Sequence, residues 1–167
     1  MSPIRGLVLG AAAVALAGWG SFALAQHQHG APASEHAPAP HVPRPDPRVS
    51  VQFPPELREH TLANMRDHLL ALQQIQDALS RNDYDVAAKI SEDRLGMSSL
   101  TAHGAHEVAK YMPQGMQDAG TSMHRGASRF AVSLQEAAIT GDLRKPLGEL
   151  ANVTASCVAC HAGYRLQ

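Results

Sequence analysis

Cysteine is scarce in this chain, and that scarcity limits the kinds of site the chain can build. Of its 167 residues only Cys157 and Cys160 carry a thiol, and both stand near the C-terminal end. A structural zinc site usually takes four ligands from two separated pairs, and there is no second cysteine pair. A thioredoxin-type redox pair expects βαβ surroundings, of which the sequence shows no sign. The two thiols therefore need another explanation.

The chain also has no strong net charge of either sign. The formal net charge is −1 at pH 7, with Lys and Arg scattered among Asp and Glu. A nucleic-acid-binding surface needs a basic patch or stripe, so we expect no nucleic-acid partner. Paired carboxylates, a nucleophile elbow, a phosphate-binding loop and a dinucleotide-type glycine pattern are not found either. We therefore expect a protein that is not an enzyme.

Long apolar runs are absent apart from one near the N-terminus. It covers residues 7–17, follows Arg5, and is interrupted by glycines and a serine before it reaches the roughly 20 residues that a bilayer span needs. The run ends in Ala23-Leu24-Ala25, the small-x-small pattern of a signal peptidase site. The sequence thus predicts a signal peptide at 1–25, export to an oxidising compartment, and no membrane span after cleavage.

Large apolar side chains are also rare in residues 26–55. This stretch contains eight prolines, and ordering it would cost more conformational entropy than its burial could return. The composition predicts a flexible, disordered tether at 26–55 and a folded domain at 56–167.

Alternation typical of a β-strand is not sustained anywhere, whereas helical spacing is common. The first predicted helix starts near Leu57 and ends at the turn residues 80–85. Its apolar residues recur every three or four positions and form one stripe: Leu62, Met65, Leu69, Leu72, Ile75 and Leu79. A second helix is predicted from Tyr84 to Leu95, with continuation to Val108. Residues 111–120, with a proline and two glycines, predict a bent connection.

Two further helices complete the predicted fold. The third begins near Thr121 and the fourth near Pro146, a residue that suits a first helical turn. The fourth runs through Cys157 to Tyr164. Four helices joined by short links predict an all-α protein, an antiparallel four-helix bundle.

The last predicted helix carries the sequence CVACH, residues 157–161. Cys157, Cys160 and His161 stand three and four residues apart, so their side chains project to nearly the same side of a helix. Two thiols at this spacing can add to the two vinyl groups of a porphyrin, and the imidazole behind them reaches the iron. The motif predicts one covalent haem c, with Cys157 and Cys160 as attachment residues and His161 as the proximal iron ligand.

The longer tail CVACHAGYR, residues 157–165, resembles the class II c-type cytochromes, the family of cytochrome c prime and its low-spin relatives. These proteins carry C-x-x-C-H-x-x-(Tyr/Phe)-Arg near the end of a four-helix bundle. Elsewhere in residues 57–167 the resemblance lies in the helix pattern, and KYMPQGM, residues 110–116, is similar to the family's connection between helices two and three. The resemblance implies a periplasmic haem protein that exchanges electrons with a redox partner protein or binds CO or NO. Family members often form homodimers through their first two helices.

The family presents its distal residue from the first helix, and two registers fit this chain. In one, Arg58 matches the family's arginine and Leu62 occupies the ligand position, which would leave the iron five-coordinate. In the other, MRDHLLAL matches the low-spin members and the Met65 thioether becomes the sixth ligand, a pairing with histidine that raises the reduction potential. Met65 is equally compatible with an ordinary core position.

The sequence does not assign a single role to the arginines and histidines near the predicted site. The guanidinium groups of Arg58, Arg66 and Arg165 are candidates to pair with haem propionates, because their geometry matches carboxylates. His60 and His68 fall off the apolar stripe of the first helix, so we expect both to be solvated or at its edge.

A second hypothesis is a periplasmic copper-binding or metal-delivery module. Imidazoles and thioethers together suit copper, above all its monovalent ion. Met112 and Met116 would share one helix face, as would His103 and His106, although methionines at helical spacing usually pack a core. The candidate ligands are His27, His29, His36, His41, Met97, His103, His106, Met112, Met116, Met123 and His124.

Overall fold

The computed structural model describes residues 45–167. The predicted signal peptide at 1–25 and residues 26–44 of the predicted tether lie outside the described residues. The described chain is mainly helical, as the all-α prediction expected, with a small sheet in addition. Its elements are β1 Val49–Val51, α1 Pro55–Ser80, α2 Tyr84–Arg94, α3 Ala105–Ala109, α4 Gln114–Thr140, α5 Arg144–Gly163 and β2 Tyr164–Leu166, with one 3-10 turn at Met97–Ser99.

The buried face of helix α1 overlaps the predicted leucine stripe only in part: Ile75 is buried and Leu72 and Leu79 pack against the core, whereas Met65 and Leu69 are exposed. Leu69 is 70% exposed, while the buried residues of α1 are Thr61, His68, Ala71, Ile75 and Ala78. Two of these are alanines, whose short side chains let α2 approach closely at its own buried alanines, Ala87 and Ala88. The bulkier leucines are therefore displaced to the margins of the contact.

Two predicted helix boundaries are wrong. The second helix ends at Arg94 and does not continue to Val108, because the chain turns through the 3-10 segment and through Gly104, whose φ of 62° is in the left-handed region. Helix α4 begins at Gln114, directly after Pro113, and not near Thr121. The glycines that suggested a bent connection, Gly115 and Gly120, lie inside this helix.

Helix α4 is the central element, because it packs against both α5 and α2, and α2 packs in turn against α1. The main core includes Ile75 of α1, Leu95 after α2, Phe130 and Leu134 of α4 and Val153 of α5. Gly126 allows α5 to lie close to α4, since a Cβ at that position would be only 3.2 Å from Cγ2 of Val153. The long helices thus enclose one hydrophobic core.

A short parallel sheet joins the start of the described chain to its end. Val49 pairs with Tyr164 and Val51 with Leu166, and the backbone N–H of Gln167 donates to the carbonyl oxygen of Val51 at 3.0 Å. Val51 and Phe53 are buried in a second hydrophobic cluster. The prediction that the disordered tether extends to residue 55 is therefore wrong for residues 49–53. Strand β1 pairs there with β2, which follows the CVACH motif.

Within residues 45–167 no helix combines the length and the apolar character that crossing a bilayer requires.

Candidate functional site

The three residues of the predicted haem motif lie in the last turns of α5. Both thiols are free and half-buried, and burial raises the pKa of Cys157 and of Cys160 above the usual value of a thiol. Cys157 packs against the main core and Cys160 against the second cluster, while His161 is exposed. At neutral pH the thiols are therefore protonated, which makes them poor metal ligands by themselves.

Cys160 and His161 open onto a cleft with a volume of about 390 Å³, here called the C-terminal cleft. Helix α1 contributes Leu62 and Met65 to its lining, so both predicted distal residues share the cleft with the predicted proximal ligand. Sequence reasoning did not assign three further methionines to this site, although their thioethers line the same space. They are Met112, Met116 and Met123.

Two of the three candidate arginines lie at the C-terminal cleft. Arg58 lines it and donates from Nη1 to the Glu59 carboxylate at 3.0 Å. Arg165 lines it with a buried Nε that has no hydrogen-bond partner among the described residues and lies 3.5 Å from the Asp46 carboxylate. Arg66 is exposed and does not line the cleft. Arg48, which the sequence reasoning missed, is a further cation in the lining.

Two glycines of α4 shape the C-terminal cleft. A Cβ at Gly120, which lines the cleft, would have no heavy atom within 4 Å, so the wall is open there. A Cβ at Gly115 would lie 2.5 Å from the Tyr164 hydroxyl, so a side chain at position 115 would displace the Tyr164 ring from its present position. Cys160, His161, the apolar wall and the Arg165 Nε without a hydrogen bond fit a covalently bound porphyrin with acidic substituents, although Cys157 packs against the main core and does not line the cleft.

A second cavity, of about 250 Å³, adjoins α1 and α4 and is here called the histidine cavity. It borders the C-terminal cleft, because Met65, His68, Met112 and His124 line both spaces. His68, His103 and His124 line the histidine cavity, together with Met65 and Met112. The expectation that His68 is solvated is wrong, because only 8% of it is exposed. It lies on the alanine-rich face of α1, which the leucine stripe had not identified as the core side. His60 is exposed, as expected.

Burial and mutual repulsion lower the pKa of these histidines. Desolvation lowers the pKa of His68 to about 4, with further contributions from His103 and His124. Desolvation is also the main cause that lowers the pKa of His103 and of His124. All three are therefore neutral imidazoles at pH 7.

The remaining copper candidates do not form a common group. Met97 and His106 are exposed, and His103 precedes α3, so it does not share a face of that helix with His106. The four histidines of the predicted tether, His27, His29, His36 and His41, lie outside the described residues. In residues 45–167 no three His, Cys, Asp or Glu side chains are already gathered closely enough to hold a metal ion.

No protein-family model matches the chain, and neither a curated protein nor a solved structure matches it, so the chemistry of the site carries the functional proposal.

Proposed function

We propose that this protein is an exported c-type cytochrome with one covalently attached haem c, and that it transfers electrons. The observation that carries the proposal is that Cys160 and His161 of the CVACH motif open onto an apolar cleft with cationic residues in its lining. The long helices α1, α2, α4 and α5 are proposed to form the antiparallel four-helix bundle that the resemblance to class II cytochromes implies.

Each part of the C-terminal cleft has a role in this proposal. Cys157 and Cys160 would hold the group through thioether bonds, and the His161 imidazole would ligate its iron. Arg165, whose Nε makes no hydrogen bond among the described residues and lies 3.5 Å from the Asp46 carboxylate, and Arg58, which is paired with Glu59, would be the residues that hold the propionates. When bound there, haem supplies an iron that cycles between the ferric and ferrous states. The apolar cleft excludes water from that iron.

Met65 is the proposed sixth ligand. It lines the C-terminal cleft from α1 and is 36% exposed, so its side chain is not committed to a close-packed core. A thioether opposite histidine favours the ferrous state and suits electron transfer. Gas binding is the second candidate function, because Leu62 lines the same cleft and offers no lone pair. If Leu62 caps the iron, CO or NO could bind without displacing a protein ligand.

A periplasmic location, a redox partner protein and a homodimer stay predictions that accompany this function. The signal peptide on which the location depends lies outside the described residues.

Optical spectroscopy tests the proposed function. The full chain should be expressed with a periplasmic haem-attachment system, purified, and taken through cycles of chemical reduction and reoxidation. We expect reversible interconversion of ferric and ferrous haem spectra, and loss of the coloured species in the double variant Cys157→Ala/Cys160→Ala. Val158→Ala, at a 67% exposed position inside the motif, is the matched control and should behave as the wild type. A colourless wild-type protein would disprove the proposal.

A further inference from the structure

Three histidines from three separate parts of the chain meet at the histidine cavity. His68 belongs to α1, His103 to the loop before α3 and His124 to α4. Their ring centroids lie 4.8 Å (His68–His103), 5.4 Å (His103–His124) and 6.0 Å (His68–His124) apart. An imidazole nitrogen binds zinc at about 2.0–2.1 Å, which puts three ring centres about 5 Å from one another around a tetrahedral ion. The three rings therefore already have the spacing of a metal site.

Hydrogen bonds fix which nitrogen of two rings is free. His124 Nδ1 donates to the carbonyl oxygen of Leu95 at 2.7 Å, and a carbonyl can only accept. His103 Nδ1 lies 3.3 Å from the Ser99 hydroxyl, which uses its own proton on the Gly96 carbonyl, so His103 Nδ1 is the donor. In both rings Nε2 then carries the lone pair. A backbone carbonyl or similar acceptor on the second nitrogen is the usual support of a metal-binding histidine.

His68 supplies an unsatisfied nitrogen to the same place. Its Nε2 is buried and has no hydrogen-bond partner in the part of the chain that the structure describes. Leaving a buried polar atom unpaired costs about 1–3 kcal/mol, so such atoms in native proteins usually have a partner that is not part of the chain. The side chain cannot be satisfied by Asp67, its neighbour in sequence, whose carboxylate is bound by the Arg94 guanidinium.

The lining of the cavity selects the kind of ion. It contains no carboxylate, which disfavours magnesium, calcium and manganese. Besides the imidazoles it presents the thioether of Met112, while Met65, which also lines the cavity, is assigned above to the haem iron. Imidazole with thioether is the donor set that suits copper. His103 is held at this position by Asn64 of α1, which donates from Nδ2 to the His103 carbonyl oxygen at 3.1 Å.

We propose that His68, His103 and His124 bind one copper ion in the histidine cavity, through the Nε2 atoms of His103 and His124 and a ring nitrogen of His68. The ion would be additional to the haem iron. His68 and His124 also line the C-terminal cleft, so the proposed copper site borders the proposed haem site. The donor atoms are not gathered to bonding distance in the described residues, so copper binding would require the imidazoles to rotate about their side-chain bonds.

Copper titration of the purified full-length mature protein tests this proposal. Cuprous ion should be added under anaerobic conditions in competition with a chromogenic chelator, and bound copper measured per protein. We expect the wild type to bind one equivalent of copper that His103→Gln binds at least about tenfold more weakly, the usual loss for a disturbed metal site. At chelator concentrations that hold wild-type copper, the variant should therefore bind one equivalent less. His106→Gln, at an exposed position three residues away, is the matched control and should retain wild-type binding.

X-ray absorption of the copper-loaded wild type gives a readout that needs no variant. Imidazole scattering from three histidines at the copper edge would support the site, and a helical circular dichroism spectrum of His103→Gln equal to that of the wild type would show that its fold is intact. Equal copper binding by His103→Gln and the wild type would overturn the proposal, as would a copper centre with fewer than two imidazoles.

Discussion

Met65 and Leu62 stand one helical turn apart on α1, and both side chains line the C-terminal cleft. The sequence could not choose between them because residues three apart share a helix face. Because both side chains line the cleft, their position does not decide which one faces the iron. Their chemistry does. Only the thioether has a lone pair for iron.

Replacing Met65 by Ala is the residue-scale test of the sixth ligand. If Met65 ligates the iron, the variant should change from a low-spin to a high-spin spectrum and its reduction potential should fall, because the thioether stabilises ferrous iron. Met97→Ala is the matched control, since Met97 is 38% exposed against 36% for Met65 and does not line the cleft. It should leave the spectrum unchanged. A wild type that is already high-spin, and that Met65→Ala does not alter, would favour gas binding at an open site.

A residue's position could be predicted from the sequence when it depended only on neighbours within one helical turn, and not when it depended on contacts between helices. The placement of Cys157, Cys160 and His161 on one helix could be predicted because their spacing lies within about one helical turn, and their role in haem attachment stays a prediction. The burial of His68 could not be predicted, because it depends on which face of α1 meets α2. A stripe of small residues was the available signal, since Ala71 and Ala78 mark the buried face while Leu69 is exposed. The meeting of His68 with His103 and His124 requires the tertiary fold.

At the scale of elements, contact between α4 and α5 positions the helix that carries the CVACH motif. Gly126 is buried at this contact, where Val153 lies against it. A side chain there would be forced against a close-packed neighbour, which typically costs about 1–3 kcal/mol.

Gly126→Leu should therefore destabilise the protein by about 1–3 kcal/mol in urea unfolding. Gly148→Leu is the control on α5, because a Cβ at Gly148 meets nothing within 4 Å and leucine is a better helix former than glycine by about 0.5–1 kcal/mol. We expect that variant to be as stable as the wild type or more so. Equal unfolding midpoints for Gly126→Leu and the wild type would contradict the packing described for α4 and α5.

The order and approximate extent of the long helices could be predicted from apolar spacing, but some boundaries could not. Helix α4 starts at Gln114 although Gly115 and Gly120 are poor helix formers. Only Gly115 is closely approached, because a Cβ there would lie 2.5 Å from the Tyr164 hydroxyl, while a Cβ at Gly120 would meet nothing within 4 Å. Strand β1 was missed because three residues give too short an alternation. Its pairing with β2 is between segments more than a hundred residues apart.

For the whole molecule, the proposed binding of haem in the C-terminal cleft would link folding to cofactor binding. A domain of roughly 110 residues has a total stability of about 5–15 kcal/mol, so loss of packing around an empty cleft is a large fraction of it.

The haem-free protein should accordingly be loosely packed and melt with low cooperativity. We expect poorly dispersed side-chain NMR signals from protein expressed without the haem-attachment system, and sharp, dispersed signals from the holoprotein. Far-ultraviolet circular dichroism should show that the helices persist in both. Sharp, dispersed signals from the haem-free form would contradict the linkage.

Covalent attachment of haem through Cys157 and Cys160 is the central claim, and mass spectrometry of the denatured protein tests it most directly. The mature protein, expressed with a periplasmic haem-attachment system, should be extracted with acid and organic solvent, digested and weighed. We predict that the peptide containing residues 157–161 retains the mass of one haem, that each single Cys→Ala variant retains it more weakly, and that the double variant loses it. A wild-type protein that releases all its haem on extraction would contradict the account.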